Sequence, residues 1–89
     1  MGIESALNDL IEGYDKASEL DKAMTAAGYD ENPYFDIMAC IAEAIYHLVG
    51  ENKDKDYEET SVHNILNSDV LGKKEQVDAL VALYKAQSN

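Results

Sequence analysis

The chain has 89 residues, 46% hydrophobic and 28% charged, with 18 acids against 7 bases and a formal net charge of -11. The length fits one domain, residues 1–89, with a core that is economical or shared with a partner. All 7 bases are Lys, so direct binding to DNA or RNA backbones is not expected, and the single Cys rules out an intramolecular disulfide or a multi-Cys zinc site.

Residues 3–26 predict a first amphipathic helix. Ile3, Leu7, Leu10, Ile11, Tyr14, Ala17, Leu20 and Met24 recur at three- and four-residue steps and share one broad face. Gly13 interrupts the helix at a cost of roughly 1 kcal/mol relative to Ala. Gly28 is the natural left-handed residue at its end. Asn32 and Pro33 then mark a new start, because Asn caps well and Pro has no amide proton to satisfy in a first turn. Residues 33–49 predict a second helix whose apolar residues cover more than half its circumference, so it is expected to be the central element, with Ile41 at the core centre. Gly50 stops it.

Residues 51–59 form a charged connection, expected to be exposed and mobile. A short helix is expected over about 60–67, capped by Thr60 or Ser61, with Val62, Ile65 and Leu66 inward. Asn67, Ser68 and Asp69 are turn residues, after which Val70 and Leu71 are expected to plug the core. A last helix over about 73–86 turns Val77, Leu80, Val81, Leu83 and Tyr84 inward. The fold class is all-α: a small bundle of three main helices (about 3–26, 33–49 and 73–86) plus one short helix. No stretch is apolar enough to span a bilayer, and the N-terminal residues lack a basic-then-apolar layout. A cytoplasmic protein without membrane contact is therefore expected.

The second helix carries a polar line, Asp36, Cys40, Glu43 and His47, within about 60° of arc. Carboxylate, thiol and imidazole in one row suggest a metal site, and Glu43 and His47 have the i, i+4 spacing of helical ligands. One straight helix cannot surround an ion, however, so the line reads as the solvent face, with Cys40 a small filler at the core margin. The alternating Asn52, Asp54 and Asp56 fail the calcium-loop pattern, which wants Gly at the sixth position and Glu at the twelfth. Ser61 and His63 point in different directions on a helix. No phosphate-binding Gly loop occurs. The chain is thus read as non-enzymatic, with no metal and no cofactor.

Two features remain. There are 6 Tyr against 1 Phe and 0 Trp, and Tyr suits interfaces because it joins a large apolar body to a polar tip. Ten acids and two Lys fall in residues 1–49, so the negative field belongs to the first two helices and their connection. These features predict a small acidic interaction module, a regulator, adaptor or inhibitor of the kind seen among bacterial and phage accessory proteins, that binds a protein partner with a basic surface. Its contact residues would be Glu12, Asp15, Glu19, Tyr29, Asp30, Glu31 and Tyr34. The excess apolar surface of the second helix predicts self-association as a two-fold dimer. Two other readings compete: an acidic decoy that occupies a nucleic-acid groove of another protein, and a small metal-dependent enzyme built on Asp36, Cys40, Glu43 and His47.

Overall fold

The computed structural model describes residues 2–50, 56 and 60–87. The chain is all-α, with four helices and, among the described residues, no strand: α1 (Ile3–Ala26), α2 (Pro33–Val49), α3 (Ser61–Leu66) and α4 (Lys73–Gln87). The sequence-derived boundaries hold to within one residue. The charged connection over 51–59, including Asn52, Asp54 and Tyr57, lies outside the described residues except for Asp56, which is exposed.

Local chemistry sets these boundaries. Gly28 takes φ 98° just beyond α1, where the backbone N–H of Tyr29 donates to Met24 O at 2.9 Å and that of Gly28 to Thr25 O at 3.0 Å. This is the paired closure of a Schellman turn. α2 starts at Pro33 behind the cap of Asn32 and ends at Gly50, whose φ is 77°. Thr60, fully buried, caps α3: its Oγ1 accepts from the backbone N–H of His63 at 3.2 Å. α4 begins with half of a capping box, the Glu75 carboxylate accepting from the backbone N–H of Gly72.

α1 and α2 fold back on each other and make the most extensive helix contact, and α4 lies across both. α3 fills the space between α2 and α4, so α2 touches all three other helices. The core is Leu7 and Ile11 of α1, Ala42, Ile45 and Val49 of α2, Val62 and Leu66 of α3, and Val77 and Leu80 of α4. A six-residue helix is far too short to be stable alone. α3 is held by Val62 and Leu66 and by Gln76 of α4, which is buried and donates from Nε2 to Ile65 O at 3.0 Å.

Three expectations need correction. Ile41 is not the core centre; it is half-buried beside the core, and Ile45, fully buried, takes that place. Val70 does not plug the core: it is 88% exposed, and Leu71 is half-buried. The Ser68 hydroxyl accepts from the backbone N–H groups of both Val70 and Leu71 at 3.3 Å, which fixes a turn that carries Val70 outward. Cys40 is exposed rather than a filler at the core margin, because that arc of α2 faces no other helix.

Candidate partner-binding surface

The turn between α1 and α2 is organised by Asn32. Its Oδ1 accepts from the backbone N–H groups of Tyr34 at 3.0 Å and Phe35 at 3.4 Å. Its Nδ2 donates to Tyr29 O at 3.1 Å and, back across the hairpin, to Asp21 Oδ1 at 2.9 Å. One side chain therefore caps α2, closes the turn and ties it to α1. The geometry holds Asp30, Glu31 and Asp36 around a cleft of about 430 Å³, also lined by Asn32 and Phe35. Asp36 sits in the first turn of α2, where the helix dipole favours a negative charge. Two aromatic rings stand out into solvent here, Tyr29 and Phe35, each 60% exposed.

The seven predicted contact residues separate into two groups. Tyr29, Asp30 and Glu31 are exposed together at the turn, with Tyr34 half-buried on the first turn of α2. Glu12, Asp15 and Glu19 lie further back along α1, the first two beside the start of α4. Glu12 is ion-paired with Lys73. Asp15 lines a polar cleft between α1 and the α3–α4 connection, to which Ser18, Asp21, Asn67, Asp69 and Lys73 also contribute. Burial pushes the Asp15 carboxyl above its ordinary value; Lys73 opposes the shift and the exposed Glu19 adds to it. Neighbouring Tyr14 is likewise raised, by burial first and by Asp15 second. Asp21 links the two groups, since it lines the polar cleft and accepts from Asn32.

Phe35 is the residue that sequence reasoning missed. Its position on an apolar helix suggested burial, but it sits about 80° from Ile45 around α2, on the flank toward α3. There it edges a second shallow space with Tyr14, Met38, Ala39, Ala42, His63 and Asn67. A usable signal was present: Phe35 falls two residues into a helix started by Asn32 and Pro33, where side chains lie at the end of the bundle.

The polar line of α2 stays apart from this surface in all but Asp36. Asp36, Cys40, Glu43 and His47 are all exposed, and of these only Glu43 and His47 meet, with Oε1 and Nε2 3.4 Å apart. Among the described residues no group of three or more His, Cys, Asp or Glu side chains is placed to hold a metal ion. No helix of the described residues is long and apolar enough to cross a membrane. Comparison with protein-family models, with curated proteins and with solved structures gives no match for this chain.

Proposed function

We propose that this chain is an interaction module that binds a protein partner with a basic surface through the α1–α2 turn. The observation that carries the reading is the placement of two exposed rings, Tyr29 and Phe35, beside three carboxylates in one turn braced by Asn32. Exposed rings give a partner a desolvated contact, and their quadrupoles attract Lys or Arg side chains. The carboxylates of Glu19, Asp30, Glu31 and Asp36 steer a basic protein and raise the encounter rate. Glu12 and Asp15 extend the field along α1, with Lys73 neutralising part of it.

The test is association kinetics with a partner recovered from the native cell, over a range of salt. Neutralising Glu19, Asp30 and Glu31 together to the amides is expected to slow association several-fold and flatten its salt dependence. Tyr29→Ala and Phe35→Ala are expected to leave the association rate alone and speed dissociation roughly 10-fold each, the scale of about 1.4 kcal/mol. Kinetics indifferent to salt and to both ring changes reject this surface.

The decoy reading uses the same carboxylates. It predicts that a nucleic acid bound by the partner and this chain exclude each other, which competition with a labelled oligonucleotide measures. The enzyme reading needs Asp36, Cys40, Glu43 and His47 to act together, and no observed contact joins more than two of them.

A further inference from the structure

On the side of α2 away from α3, Ile37, Ile41, Ala44 and Leu48 follow one another at steps of four, three and four. At 100° per residue they share one narrow arc, about 16 Å long. Ile37 is 44% and Leu48 37% exposed; Ala44 is exposed and Ile41 half-buried. The row is covered only in part: Ile41 packs against the core and lies beside α1, while Ile37, Ala44 and Leu48 stay exposed. A Cβ built on Gly13 would lie 3.3 Å from Ile41 Cδ1, so α1 approaches α2 at a residue that has no side chain. The result is a shallow apolar seam between two helices.

Charge indicates what fits there. The outer border of the seam on α2 carries Asp36, Cys40, Glu43 and His47, all exposed, with His47 Nε2 3.4 Å from Glu43 Oε1, and Asp9 stands one turn before Gly13 on α1. Lys16 follows Gly13 by one turn, so the negative potential comes mainly from the α2 border. A second copy of this chain would bring another net charge of -11 to the same seam. A helix with Lys or Arg on either side of an apolar row would satisfy both the seam and its border, in the helix-in-groove mode of recognition.

We infer that the α1–α2 seam is the docking groove for a cationic amphipathic helix of a partner protein, with apolar residues at i, i+4, i+7 and i+11. The inference rests on the partner being basic and adds where, and in what conformation, that partner lies. It uses a different flank of α2 from Phe35, so the two contacts can be removed separately.

The experiment titrates the full chain into two fluorescein-labelled 18-residue peptides of identical Leu and Lys content and follows anisotropy. One peptide has Leu at i, i+4, i+7 and i+11; the other has the order scrambled. The patterned peptide is expected to bind at least 10-fold more tightly than the scrambled one. Ile37→Ser with Leu48→Ser is expected to remove that difference, while Tyr29→Ala leaves it in place. Both substituted positions are exposed, and a thermal melt checks that the double variant is folded. Should it not be, amide shift changes in the unaltered chain on adding the patterned peptide are read instead, and must centre on residues 37–48. Equal binding of the two peptides, or shift changes elsewhere, overturns the groove. Sedimentation showing a dimer that the double variant dissolves assigns the seam to a second copy and equally overturns the inference. Partner kinetics indifferent to salt and to Tyr29→Ala and Phe35→Ala, with the peptide difference intact, count against the turn surface and not against the groove.

Discussion

Asn32 satisfies four partners with one side chain: the backbone N–H groups of Tyr34 and Phe35, the carbonyl of Tyr29 and the carboxylate of Asp21. Loss of an N-cap typically costs about 1 kcal/mol, and the tie to Asp21 adds to it. Asn32→Ala is therefore expected to destabilise the chain by about 1–2 kcal/mol. It should also weaken partner binding more than its own exposed area explains, because the turn that presents Tyr29 and Glu31 loses its brace. Thermal melts alongside binding measurements check both halves. Asp15 gives a pH-dependent counterpart. Its carboxyl is raised by burial, with Lys73 opposing and Glu19 reinforcing. The folded state thus holds this proton more tightly than the unfolded chain does. Stability from this group is then greatest at low pH and is lost as pH rises from the unfolded value near about 4 through the higher folded one. Asp15→Asn is expected to remove that loss and leave the variant relatively more stable at neutral pH. Denaturation midpoints at pH 3.5 and 7, where the two chains should differ more at pH 7, make the measurement; an equal difference at both assigns the effect to packing.

At the level of elements, the helix limits were legible because each is set by neighbours in sequence. Gly28 and Gly50 adopt the positive φ that ends a helix, and Asn32 and Thr60 cap within three residues of themselves. The rank of residues within a helix was less legible. Ile41 lies mid-arc on α2 by composition, but burial depends on where α1, α3 and α4 sit, and they lean toward Ala42, Ile45 and Val49. Hence Ile45→Ala is expected to cost about 2–5 kcal/mol and Ile41→Ala about 1 kcal/mol. Equal denaturant midpoints for the two variants would show that the seam beside Ile41 is covered in solution. Gln76 was invisible for the same reason: its partner, the Ile65 carbonyl, lies eleven residues away across a turn. Val70 misled because apolar character says nothing of the direction a turn takes, and the Ser68 hydroxyl decides it. At the candidate site the acids and Tyr29 could be read from composition, whereas for Phe35 the one signal was its place in the first turn of α2, which the apolar run around it outweighed.

For the whole molecule, the dominant fact is a net charge of -11 on 89 residues. Such a charge opposes the compact state through self-repulsion. Against it, among the described residues, stand the surface pairs of Glu12 with Lys73 and Asp78 with Lys74, each worth little. Salt screens attraction and repulsion alike, so the sign of its effect depends on which is greater. With ten acids and two Lys in residues 1–49, repulsion along α1 and α2 exceeds the attraction available from these pairs. Added salt is therefore expected to stabilise the fold. Going from about 20 to 300 mM sodium chloride shortens the screening length from roughly 20 Å to under 10 Å. Relief of about 1 kcal/mol would raise Tm by on the order of 5 °C in a domain of this size. Chloride is the salt to use, because sulfate and phosphate strengthen apolar burial by themselves. The same change is expected to slow association with a basic partner, since steering falls as ionic strength rises. Fold and binding should thus respond to salt with opposite signs, and melts and association rates taken in one buffer series measure both. A Tm that stays level or falls would mean that the paired charges outweigh the unpaired acids, and the negative surface would then be a balanced one with little reach toward a partner.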